Sequence, residues 1–365
     1  MTRGMGWIVA VAVVVPGVGG AQTPAPAPSA PTPKFSGDFR VRYEYTTAGN
    51  GSLALSREVV RLRAGVTYPL RDDITVRARL ATGDPDDPNS TDVTLSSFVN
   101  DFAVSLDIAS IEVSRRHWGA MAGKFTNPFQ YTELVWDGDV NPQGVGGRLI
   151  FGDRAKVSGT LTGLYFIVDQ QVNNLSSDMA GGQFAVAAPS GQWRMTGAVG
   201  YYNYNIRSLS AAGSGDTRSN RLNAGGTGYQ SDFEMLDLLF AVDYSGLGEH
   251  YPLRIVGDYV HNSGAADLNT GWEADVYLGK AARKGDLRYR YGIGVAETDA
   301  VLAAFSHDNT TLGTNYEIHT LAVDAVPING LSLNATLYYY RPHEVAVGVT
   351  RTFQKRLRLN AMVTW

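Results

Sequence analysis

At 365 residues and 44% hydrophobic content the chain can build one large β domain or two ordinary ones, and a formal net charge of -4 leaves no broad basic surface for nucleic acid. With no cysteine a disulfide scaffold is excluded, while 41 glycines and 19 tyrosines against 13 phenylalanines point to many turns and aromatic interface belts.

In chain order, Arg3, the apolar run from Gly6 to Val15 and the small-residue pattern Gly19-x-Ala21 predict an export signal over 1–21, cleaved after Ala21. That run is short of the roughly 20 apolar residues a spanning helix needs. Residues 22–34 read as an extended Pro/Ala-rich linker. Nothing later is long and apolar enough for a membrane helix, so a membrane location requires a closed barrel.

From Phe35 the chain repeats about ten alternating residues and a break. The first such segment sets Phe35, Gly37, Phe39, Val41, Tyr43 and Tyr45 against Asp38, Arg40, Arg42 and Glu44. The second sets Val60, Leu62, Ala64, Val66 and Tyr68 against Arg61, Arg63 and Thr67, and the third Ile74, Val76, Ala78 and Leu80 against Thr75, Arg77 and Arg79. Further candidates run from 103–114 to 352–365, giving about sixteen strands, with 14 and 18 as the neighbouring even counts. In the closing segment Leu357, Leu359, Ala361, Val363 and Trp365 oppose Arg356, Arg358, Asn360 and Thr364.

The connections alternate in length. Short turns fall near 69–73, 115–117, 152–154, 189–191, 245–251, 283–286 and 327–330, and long polar loops at 46–56, 83–101, 126–144, 167–178, 205–232, 263–270, 297–315 and 342–351. Short turns at one end and long loops at the other are the pattern of an antiparallel outer-membrane β-barrel, all-β, spanning 35–365. A barrel of this size encloses an aqueous channel.

Closure would bring the last strand beside the first three. Arg40, Arg42, Arg61, Arg63, Arg77, Arg79, Arg356 and Arg358 then form a basic inner wall near mid-height, shear permitting, and Asp38, Glu44 and Glu58 are the acids on hand to neutralise it. The opposite arc offers Asp237, Asp243, Asp258, Glu273 and Asp275. Loop 126–144, carrying Glu133, Trp136, Asp137 and Asp139, is the candidate constriction if it folds inward. Trp365 is the expected terminal aromatic for the barrel-insertion machinery. His117, His250, His307 and His343 fall in turns or loops, His261 and His319 lack a nucleophile beside them, and no Gly-x-Ser-x-Gly, phosphate loop or cysteine site is present, so neither an enzyme nor a cofactor is expected. The acidic stretch Asp84-Pro85-Asp86-Asp87-Pro88-Asn89 reads as a solvated surface loop rather than a calcium site.

Two stretches, Gly123-Lys124-Phe125-Thr126-Asn127-Pro128-Phe129 and Leu134-Val135-Trp136-Asp137-Gly138-Asp139-Val140-Asn141-Pro142-Gln143-Gly144, resemble the segment that runs from a mid-barrel strand into a long loop in the bacterial putative-porin family. The resemblance implies an outer-membrane channel for passive diffusion of small hydrophilic solutes or ions, with lipid around it and a homotrimer as the general-porin assembly. The basic wall would favour anions. The alternative is a non-conducting surface or adhesion protein anchored by its barrel.

Overall fold

The computed structural model describes residues 31–49, 52–95, 99, 101–172 and 176–365. The predicted export signal and most of the linker lie outside the described residues.

The strands are β1 (Lys34–Thr46), β2 (Leu55–Arg71), β3 (Ile74–Thr82), β4 (Val93–Thr94), β5 (Val104–Ser114), β6 (Trp118–Lys124), β7 (Gln143–Gly152), β8 (Ser158–Asp169), β9 (Ser177–Ser190), β10 (Trp193–Asn205), β11 (Phe233–Tyr244), β12 (Leu253–Asn262), β13 (Thr270–Gly279), β14 (Leu287–Ala296), β15 (Tyr316–Ile328), β16 (Leu331–Pro342) and β17 (Gln354–Thr364). The one helix among the described residues, α1 (Ser214–Thr217), is a single turn inside a long loop. Strand β4 is a two-residue rung on the edge of β2, with Val93 opposite Val60 and Thr94 opposite Val59. The other sixteen strands pair antiparallel in chain order, and β17 closes on β1.

The closed sheet follows from the alternation. Phe39, Val41, Tyr43, Leu62, Val76, Leu359 and Val363 point outward and are exposed, while Asp38, Arg42, Glu44, Arg61, Arg356 and Arg358 point inward and are buried. Such an outer face suits lipid, and closure leaves no unpaired edge in it. Aromatics crowd both rims: Tyr68, Trp118, Phe151, Trp193 and Trp365 at the turn end, and Tyr45, Phe102, Tyr165, Trp272 and Tyr339 at the loop end. No helix among the described residues is long and apolar enough to cross a membrane.

The seam is tight. The Trp365 amide donates to Gly37 O (3.2 Å) and the Gly37 amide to Trp365 O (3.1 Å). A Cβ on Gly37 would lie 2.5 Å from the Trp365 ring and 2.5 Å from Arg63 O, so only glycine fits there.

Several long connections fold inward. Phe125, Phe129, Leu134, Trp136 and Val140 of the segment after β6, together with Val301, Leu302 and Phe305 of the segment after β14, form one hydrophobic cluster with Phe166, Tyr202, Tyr204, Phe233 and Met235 on the inner faces of β8, β10 and β11. Trp136, completely buried, stacks on Phe305 (6.0 Å between centroids, 17°) and meets Tyr202 edge-on (5.8 Å, 86°). On this arc the inner face turns apolar because it receives loops rather than water. Gly123 and Gly144, opposite each other where the segment leaves and rejoins the wall, have φ of +105° and +149°, and a Cβ on either would lie 2.2 Å from a backbone oxygen. These two glycines let the chain dive into the barrel.

Candidate functional site

The arginines descend as a staircase. In the ladder register Arg356 and Arg358 face Thr46 and Glu44, Arg61 faces Arg40, and Arg63 faces Asp38. Arg79 and Arg77 face Gly65 and Thr67, which themselves face Ser36 and Lys34. From β17 through β1 and β2 to β3 the charged positions therefore step steadily toward the turn end.

Each step meets an acid. Asp38 accepts from Arg61 (3.0 Å) and Arg63 (2.8 Å), and Glu44 from Arg358 (2.6 Å) and Arg57 (2.7 Å) with Arg356 at 3.7 Å. Arg79 pairs with Asp107, and Arg77 with Glu112 (3.2 Å). Glu58 faces outward and is exposed, so it takes no part.

Three inward segments complete the pairing. Asp92, at the end of 83–92, binds Arg40 and Arg42, the latter at 2.8 Å. Asp139 binds Arg63 (2.8 Å) and lies 3.6 Å from Arg61. After β14, Asn309 Oδ1 accepts from Arg358 Nη1 (2.9 Å) and Asp308 lies 3.5 Å from the same guanidinium. Of the acidic stretch read as a solvated surface loop, Asp84, Pro85 and Asp86 are exposed, while Asn89 at its end is buried and its Nδ2 donates to Ser306 O. Among the described residues no group of three or more His, Asp or Glu side chains is arranged to hold a metal ion.

On the opposite arc Asp237 and Asp258 are buried beneath the loop, where Tyr202 Oη donates to Asp237 (3.0 Å) and Thr132 Oγ1 to Asp258. Asp243, paired with Arg254 (2.8 Å), Asp275, paired with Arg290 (2.8 Å), and Glu273 face a cavity of about 1160 Å³. That cavity extends to the turn end at Lys280 and Ser332 and reaches Arg40, Arg42 and Arg358 on the other wall. A second cavity, of about 570 Å³, opens toward the loops and is lined by Arg57, Arg218, Arg356, Asp87, Asp92 and Asp308. Between the two stands the cluster of Arg42, Arg358, Asp92, Asp308 and Asn309.

The loop groups carry strong fields. Burial works against the Asp308 carboxylate, but the guanidiniums of Arg358, Arg42 and Arg218 outweigh it and hold the group well below the usual carboxylate range. Asp137 has no such neighbour: burial, then the negative charges of Asp308, Glu133 and Asp139, push its carboxyl well above that range. Burial also pushes the His307 imidazole down to about 3.

Sequence reasoning passed over Asp92, Asp308 and Asn309. The five-residue apolar run Val301–Phe305, out of character for a loop in water, was a signal for the last two. The segment 83–92 carries no comparable mark.

A family model described as "Putative porin" matches residues 48–216. No curated protein matches the chain. Among solved structures the chain is similar to OprB of Pseudomonas putida (11% identity, 91% of this chain and 94% of that one, TM-score 0.60) and to the anion-selective porin from Comamonas acidovorans (10%, 92% and 100%, 0.54). It is also similar to OmpT of Vibrio cholerae, an outer membrane protein in a trimer form (13%, 92% and 100%, 0.52). At these identities the likeness carries the fold, a closed sixteen-stranded outer-membrane porin barrel.

Proposed function

We propose that the chain, exported by its first 21 residues, is an outer-membrane channel through which small hydrophilic solutes and ions diffuse passively, with a preference for anions. The observation that carries this reading is the large turn-end cavity, lined by seven arginines and lysines against five aspartates and glutamates, with three of those arginines at its inner end. Charged linings of this kind set ion preference by attracting one sign of ion and repelling the other. Diffusion asks for no catalytic group. The inward packing of 89–92, 126–142 and 297–315 counts against the adhesion alternative, since loops held inside the barrel are withdrawn from any outside partner. The trimer form of the similar Vibrio protein supports a homotrimer, and the aromatic Trp365 supports recognition by the insertion machinery.

The test is reversal potential in planar bilayers under a KCl gradient. The intact protein should favour chloride. Arg42→Gln with Arg358→Gln removes two positive charges beside Asp92 and Asp308 at the passage and should move the preference toward potassium. An unchanged reversal potential in the double variant would overturn the proposed role of the wall.

A further inference from the structure

The class of solute is written in the arrangement around Asn309, and naming it rests on the channel reading above. The Asn309 side chain bridges two opposite charges. Its Nδ2 donates to Glu133, while its Oδ1 accepts from Arg358 Nη1 (2.9 Å) and from Tyr338 Oη (3.0 Å). A neutral carboxamide thus lies with its donor end on a carboxylate and its acceptor end on a guanidinium. An α-amino acid has the same polarity at full charge, an ammonium and a carboxylate one carbon apart, and offers each charged partner a full opposite charge where the amide offers only a dipole.

Glu133, Arg358 and Asn309 all line the turn-end cavity, whose volume of about 1160 Å³ is ample for such a solute. Two further residues on that lining carry a buried polar atom without a hydrogen bond, although the Arg40 guanidinium also holds Asp92 through Nη2. Glu273 Oε1 on β13 and Arg40 Nε on β1 are buried atoms that make no hydrogen bond. Neither Glu133 nor Glu273 forms an ion pair among the described residues, because the nearby Arg290 is held by both oxygens of Asp275 (2.8 and 2.9 Å). The cavity therefore offers acceptors for a cation on one side and donors for an anion on the other, which a simple anion would satisfy only in part.

We infer that the channel selects zwitterionic solutes, seating an ammonium against Glu133 and Glu273 and a carboxylate against Arg358, Arg42 and Arg40, in the place the Asn309 amide holds. The experiment is swelling of proteoliposomes containing the full chain in alanine, lactate and lactamide, which match in size and differ in charge pattern. Alanine should enter several-fold faster than lactamide. Glu133→Gln and Glu273→Gln, made separately, should each slow alanine while leaving lactamide unchanged, and the retained lactamide flux reports that the barrel is intact. If lactate is the fastest of the three, or if the variants slow all three alike, the zwitterion assignment is wrong and a pore for anions or for neutral solutes stands. If none of the three enters, the channel reading fails and this assignment falls with it.

Discussion

Glu44 is completely buried and serves three guanidiniums, those of Arg358, Arg57 and Arg356. Removing one partner of a buried ion pair costs roughly 3–5 kcal/mol because the remaining charge is left uncompensated. Glu44→Gln should therefore lower barrel stability by about that amount, measured by denaturant titration of the protein in lipid; a loss below about 1 kcal/mol would mean that water reaches the cluster. His307 gives a pH prediction with a definite sign. Its folded value of about 3 lies below the ordinary value near 6.5, so the unfolded segment takes up a proton that the packed segment refuses. Packing of 297–315 is fully supported above pH about 6.5 and weakens as pH falls toward 3, with Asp308 adding its own loss below about 4. Asp137 opposes this, since its raised value means that the packed form holds a proton and gains as pH falls. Followed by hydrogen exchange of 297–315 between pH 7 and 4, His307→Gln should flatten the acid loss and Asp137→Asn should steepen it. The arginines themselves were legible because alternation assigns each to a face. Most of their partners were not, since Asp92 and Asp308 reach them from loops and ladder pairing says nothing about where a loop goes.

The strands were readable from the sequence for a local reason: a lipid-facing side and a water-facing side impose period two on every crossing, and turns of glycine, proline and aspartate punctuate it. Strand β11 lies at Phe233–Tyr244, as its alternation indicates, and β17 at Gln354–Thr364, inside the expected 352–365. Loop lengths were equally plain. Loop direction was hidden because it is decided by distant partners, such as Tyr202 for Phe129 and Phe305 for Trp136. The inserted segment after β6 is anchored by Trp136, and truncating a buried tryptophan typically costs roughly 3–5 kcal/mol. Trp136→Ala should release 125–142 from the wall and raise single-channel conductance. An unaltered conductance would mean that the loop's ion pair to Arg63 suffices to hold it.

For the molecule as a whole the lumen is a ledger of matched charges rather than a basic surface. Its surplus is small, and selectivity must come from where individual groups stand. The shear of the barrel turns what looked like a band at one height into a staircase from β17 to β3. The wall closes where Gly37 makes room for Trp365, so Gly37→Val should lower the yield of assembled barrel in lipid, scored by heat-modifiable mobility on gels, and a normal yield would show that the seam can yield by the missing space. The seam also sets an order of events. Arg42 on β1 and Asn360 on β17 are hydrogen-bonded at 2.7 Å yet 318 residues apart, so closing the seam closes a very long loop. One edge of β1 must stay unpaired while fifteen other strands are laid down. During that time it is a template for any strand that comes near, so this protein's hazard in assembly is time, and closure is the step that ends it.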